Sequence, residues 1–157
     1  MKAKQFLFAT CASVLLSMAS LSVQAADRGT KDEAVQMVNS AIDYIKKNGT
    51  EKAFKYFSQP NNEFHKKDLY IFAYDMNGTN VAPGAQPALV GKNLMQTKTP
   101  DGKYLIKEMA AGVSSKNEMW IDYKWPHPQT KKIEEKSAYI KKIPNFNGFL
   151  GSGIYAK

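Results

Sequence analysis

Apolar residues recur at helical spacing near the start of the chain: Ala34, Val35, Val38, Ala41, Ile42 and Ile45. This predicts an amphipathic helix. Thr30, with Glu33 three residues on, forms a capping box. Lys46 and Lys47 sit in the last turn, and Asn48-Gly49 supplies the stop. Thr50 then caps a short helix over residues 51–57, with Ala53, Phe54 and Phe57 on one side. The pattern predicts no strand before Lys67. Residues 69–74 read Leu-Tyr-Ile-Phe-Ala-Tyr, apolar on both faces, as in a central strand. Asp75-Met76-Asn77-Gly78 is a hairpin turn, after which residues 79–82 return as a shorter strand. Tyr104, Leu105, Glu108, Met109 and Val113 predict a helix over residues 103–114.

Three runs rich in aromatic and β-branched residues follow, over 119–126, 135–144 and 149–155, separated by polar turns. They read as three consecutive antiparallel strands. In the first, alternation places Met119, Ile121, Tyr123 and Trp125 on one face and Trp120, Asp122 and Lys124 on the other. Gly151 and Gly153 share a face of the last strand and permit close approach, which predicts that a leading helix packs there. The sum is an α+β domain with one antiparallel sheet of about five strands, covered on both faces.

The first 25 residues are read as a signal peptide and residues 26–157 as one domain. Lys2 and Lys4 precede an apolar run, and Val23-Gln24-Ala25 fits a cleavage site after Ala25. The single cysteine, Cys11, lies inside that leader, so the mature chain has no thiol for a disulfide, a metal site or a nucleophile. Export without cysteines fits a bacterial periplasm. Losing Lys2 and Lys4 takes the net charge from +8 to +6, and Arg28 is the one arginine. That lysine-dominated surface lacks the guanidinium forks that read nucleic acids, so no nucleic-acid partner is expected; it suits anions or a membrane surface.

Catalysis finds little support. His65 lies in a polar loop and His127 between two prolines, both read as solvated, with no carboxylate placed to orient either. Ser137 and Ser152 lack a nucleophile-elbow motif. Asp75-x-Asn77-Gly78 resembles the opening of a calcium loop but lacks its later ligands. Gly91-Lys92-Asn93 lacks the spacing of a phosphate loop. No metal and no cofactor are expected, and the chain is read as a non-enzyme.

Five segments occur in an order that resembles the bacterial single Cache sensor domains: residues 70–75 with Gly78; 87–94, Pro-Ala-Leu-Val-Gly-Lys-Asn-Leu; 120–126, Trp-Ile-Asp-Tyr-Lys-Trp-Pro; 136–140, Lys-Ser-Ala-Tyr-Ile; and 151–155, Gly-Ser-Gly-Ile-Tyr. The resemblance implies a PAS-like fold, a long N-terminal helix packed on a five-stranded antiparallel sheet whose other face forms a pocket. It also implies a periplasmic module that binds small molecules, often short carboxylates, and acts in signal transduction such as chemotaxis through an inner-membrane receptor or sensor kinase. Pro83, Gly148 and Lys107 depart from the family pattern, standing where a histidine, an aromatic and an arginine are common.

A small carboxylate needs a cation, hydroxyl or N–H donors, and apolar walls. Tyr70, Tyr123 and Tyr139 offer phenols, Trp120 and Trp125 indole N–H groups, and Lys136 or Lys107 the counter-charge. Each ring is also readable as sheet core and each lysine as reaching solvent. The alternatives to a sensor are a structural or interaction protein that keeps the fold without a pocket and, last, a hydrolase.

Overall fold

The computed structural model describes residues 28–156. The expected leader and its cleavage after Ala25 lie outside the described residues. Helix α1, Lys31–Asn48, begins at the predicted capping box. The Thr30 hydroxyl accepts from the Glu33 amide at 3.2 Å, and the Glu33 carboxylate accepts from the Thr30 amide at 2.9 Å. Gly49, at φ +81°, ends it in a conformation other residues rarely adopt, and its amide bonds the Ile45 carbonyl. Helix α2, Thr50–Phe57, buries Ala53, Phe54 and Phe57.

The predicted strand over 69–74 is divided. Its first residues, β2 (Leu69–Tyr70), pair with β1 (His65–Lys66) in a small ribbon that the pattern did not predict. From β3 (Phe72–Asp75) onward the chain belongs to the main sheet. A two-residue strand carries too few positions to show period two, so the ribbon leaves no signature. Next come β4 (Asn80–Pro83), a 3-10 turn (Pro87–Leu89), α3 (Leu105–Lys116), β5 (Glu118–Pro126), β6 (Ile133–Lys142) and β7 (Gly148–Tyr155). Helix α3 lies two residues later than predicted at both ends. The sheet order is β4-β3-β7-β6-β5, antiparallel throughout. The expected α+β architecture with five strands is present. Among the described residues, no helix is long and apolar enough to cross a membrane.

The two faces of the sheet bury different material. Helices α1 and α2 cover Ile71, Ala73, Leu150 and Tyr139, with Phe57 and Phe64 at the centre of an edge-on aromatic cluster. Helix α3 covers the other face, where Tyr70, Phe72, Tyr74, Tyr123, Phe149 and Tyr155 are buried. Alternation makes this division, since Leu69, Ile71 and Ala73 face α1 while Tyr70, Phe72 and Tyr74 face away.

The glycines of β7 correct one expectation. Ser152 lies on the α1 face, its hydroxyl 3.6 Å from the Met37 sulfur, so Gly151 and Gly153 face away from the leading helix. A Cβ at Gly151 would lie 2.7 Å from the Phe72 ring and 2.6 Å from an Ile140 methyl. These glycines accommodate neighbouring strands rather than α1. At Gly148 a Cβ would meet the Phe146 ring at 2.4 Å, so Phe146, edge-on to Phe54, occupies the space a side chain there would need.

Candidate ligand pocket

The face covered by α3 holds a small cavity. Its floor is Tyr70 of β2, Phe72 and Tyr74 of β3, and Lys136 of β6. Tyr123 and Trp125 of β5 form one wall, Ile106 and Met109 of α3 another, and Pro83 with Leu89 of the 3-10 turn closes it. The volume open to the centre of a water-sized sphere is about 20 Å³, little more than one water molecule requires. A wider groove beside α1, lined by residues such as Glu33, Tyr44 and Phe64, is open to solvent and contains no buried ion.

Lys136 dominates the electrostatics. It is 2% exposed, and its Nζ donates to the Tyr70 hydroxyl at 2.7 Å. The ammonium lies 3.9 Å from the Tyr70 ring centroid, 4.8 Å from that of Tyr155 and 5.6 Å from that of Phe72. Burial lowers its pKa from 10.5 to about 7, and the charge of Asp68 acts in the opposite direction. Among the described residues no carboxylate forms an ion pair with it. Ring faces offset part of the desolvation, yet two of its three N–H donors have no acceptor among the described residues.

The phenols around it have a fixed proton order. Tyr155 donates its single O–H to the Pro126 carbonyl at 2.9 Å. Its contact with Tyr70 at 3.0 Å must therefore be donated by Tyr70, and the Tyr70 oxygen accepts from Lys136. Tyr70 thus has no proton to offer a ligand. Tyr123 differs: its hydroxyl has no hydrogen-bond partner among the described residues, and burial raises its pKa well above 10, which keeps it a donor.

Of the seven candidate residues, Tyr70, Tyr123, Trp125 and Lys136 come together at this cavity. Trp120 and Tyr139 pair on the opposite face at a centroid distance of 5.5 Å, among residues packed by α1. Lys107 is exposed on α3. Sequence reasoning did not single out Phe72, Tyr74, Ile106, Met109 or Leu89. Period two from Tyr70 would have found the first two, and the i, i+3 spacing on α3 the next pair. Leu89 lies in the 87–94 segment of the family pattern but carried no periodic signal of its own.

His127 also differs from expectation. It is fully buried, not solvated, and faces a fully buried carboxylate, Asp68, with Nε2 to Oδ2 at 3.7 Å. Nδ1 accepts from the Gln129 and Thr130 amides, each at 3.2 Å. The partner comes from a turn 59 positions earlier in sequence, which local spacing could not reveal.

The fold, the buried lysine and the pocket on the α3 face accompany a direct match in sequence. The Cache domain family model matches residues 32–157, and the chain belongs to that family. The sensor histidine kinase MctS of Rhizobium johnstonii is 30% identical over 89 residues, 57% of this chain and 19% of the kinase. The methyl-accepting chemotaxis protein McpP of Pseudomonas putida is 27% identical over 88 residues, 56% of this chain and 16% of the receptor. The chain therefore matches less than a fifth of the length of these relatives. Among solved structures, a Cache chemosensory domain studied for carboxylic acid recognition superposes with a TM-score of 0.68 at 22% identity, covering 80% of this chain and 92% of that one. A methyl-accepting chemotaxis protein from Vibrio parahaemolyticus gives 0.66 at 23% identity, covering 80% and 87%. At such identities the structures establish the fold. The family is one of sensor domains, found in receptors and sensor kinases.

Proposed function

We propose that this protein is a periplasmic sensing module that binds a compact carboxylate, of two or three carbons, around Lys136 and passes occupancy to a membrane receptor or sensor kinase. The observation that carries this reading is an ammonium buried in an aromatic box with no carboxylate ion-paired to it among the described residues. An unpaired buried charge is costly, and a ligand carboxylate would supply the missing counter-ion. In this reading Lys136 binds the carboxylate, Tyr123 donates a hydrogen bond, and Tyr70 orients the lysine. Trp125, Ile106 and Met109 enclose the apolar end. The small open volume favours the shortest acids. The kinase and receptor relatives support a membrane partner and binding rather than catalysis.

The same small volume favours a second reading, a Cache-fold interaction protein whose interior is filled. Calorimetric titration with formate, acetate, propionate and pyruvate separates the two. A true ligand stabilises the protein by about 2.7 kcal/mol at a hundredfold excess over its dissociation constant. Because only the ammonium form attracts the anion, affinity is expected to be level below pH 7 and to fall about tenfold per unit above it. Absence of binding by all four acids leaves the filled-interior reading.

A further inference from the structure

Beside the cavity around Lys136 lies a second one, and the two share a wall. The second is bounded by Leu94, Thr97 and Thr99 of the chain entering α3, by Leu105 of that helix, and by Ile106 and Trp125. Ile106 and Trp125 also line the first. Each cavity has an open volume of about 20 Å³.

Pairing along β5 shows where the partition stands. Tyr123 is directly opposite Lys136 on β6, and Trp125 is opposite Glu134. Alternation puts Tyr123 and Trp125 on one face, their rings edge-on with centroids 6.0 Å apart. The first cavity therefore runs from Lys136 past Tyr123 to the indole of Trp125, with the second beyond it. The outer wall of the second is fastened by backbone bonds. The Leu94 amide donates to the Gly78 carbonyl at 2.9 Å, the Thr97 amide to the Leu94 carbonyl at 3.0 Å and the Thr99 amide to the Lys103 carbonyl at 2.9 Å. Of the two shared residues, Ile106 is buried on α3, while Trp125 is a half-buried side chain on the edge strand of the sheet.

The two cavities differ in chemistry. The first holds the ammonium of Lys136 and the phenol of Tyr123. The second is walled by Leu94, Leu105 and Ile106, and its polar residues are engaged elsewhere. The Thr99 hydroxyl donates to Asp101 at 2.5 Å and accepts from the Lys103 amide at 3.1 Å. Thr97 is exposed, so its hydroxyl can keep to water. The Lys98 ammonium lies 5.1 Å from the ring centroid of Tyr104, itself an exposed residue, which leaves only the lysine stem for the cavity. The lining offers hydrocarbon rather than a counter-charge.

We propose that Trp125 is the specificity-determining residue of this pocket: its indole closes the Lys136 cavity against the apolar one behind it, and so limits the ligand to two or three carbons. Without that indole the two cavities form one site, with the cation at one end and hydrocarbon at the other. Such a site takes a straight-chain monocarboxylate of four or five carbons and gives no counter-charge to a second carboxylate. The inference rests on the anion-binding reading for the head of the ligand, but not for the partition.

The test is calorimetric titration of the full chain with acetate, propionate, butyrate, pentanoate and glutarate, on wild type, Trp125→Ala and Leu89→Ala. Leu89 lines only the first cavity, so its truncation enlarges the pocket without opening the partition. Wild type should lose about tenfold in affinity from propionate to butyrate, the effect of forcing an extra methylene into a filled site. In Trp125→Ala affinity should instead rise about fourfold for each methylene from propionate to pentanoate. Glutarate, as long as pentanoate but charged at both ends, should gain nothing. Should Trp125→Ala not fold, Trp125→Leu carries the same expectation with a smaller gain. An unchanged preference for short acids in the Trp125 variant, an equal gain for glutarate, or the same gain in Leu89→Ala overturns the proposal while leaving the pocket reading intact. Failure of wild type and variants to bind any of the acids counts against the pocket reading. A crystal structure of the Trp125 variant under xenon then decides the partition, since apolar cavities take up the gas. One continuous xenon site from Met109 to Leu94 supports it, and separate sites or none overturn it.

Discussion

The two faces of one sheet have been filled by opposite rules. The α1 face is an apolar core in which Phe57, Ile71 and Leu150 are fully buried and rings meet edge-on. The α3 face buries rings as well, but most of them are phenols, gathered around a lysine and within reach of a histidine-carboxylate pair. One face has the composition of a folding core, and the other keeps a lysine out of water with no carboxylate ion-paired to it among the described residues. The difference teaches that the two faces carry opposite stability terms, since a charged lysine buried on the α3 face works against folding.

The sharpest contrast is between truncating one core and neutralising the other. Phe57→Ala removes a fully buried ring and should cost about 3–5 kcal/mol, read from urea unfolding. Lys136→Met should instead stabilise the protein by roughly 2–4 kcal/mol at pH 6, since it removes a buried charge of similar volume. The pH dependence has a definite sign. The folded-state pKa is lowered from 10.5 to about 7, so between these values the unfolded chain retains a proton that the folded chain has lost. The penalty is complete below pH 7, declines through the window and vanishes above about 10.5. The advantage of Lys136→Met should shrink over the same range. A methionine variant less stable than wild type at pH 6 would mean that the lysine contributes to folding and would break the contrast.

A finer comparison uses one tyrosine from each face. Tyr123→Phe removes the phenol that has no partner in the pocket and should weaken acetate binding by about three- to tenfold. Tyr139→Phe, on the α1 side, should leave acetate affinity within twofold. Equal effects from the two would show that the binding site is not confined to the α3 face.

Both helices at the start, the capping box, the hairpin at Asn77-Gly78 and the three C-terminal strands were legible because each is a local signal repeated over many residues. Alternation along β5 also sorted Tyr123 and Trp125 from Trp120 correctly. It could not say which face would receive α1, and the glycines of β7 pointed to the wrong one. The family pattern brought Lys136 forward, while Lys107 and Tyr139 were equally eligible by residue type.

Sequence alone determined the helices, the five strands of the main sheet and their order, though not the β1–β2 ribbon, because period, caps and turn residues act within a few positions of one another. Only the tertiary structure decided that Lys136 would be enclosed by rings from β2, β3 and β7, and that His127 would meet Asp68 inside the protein. Burial, pKa and hydrogen-bond direction depend on which distant side chains exclude water from a group, and that is set by strand order and helix placement rather than by neighbours along the chain.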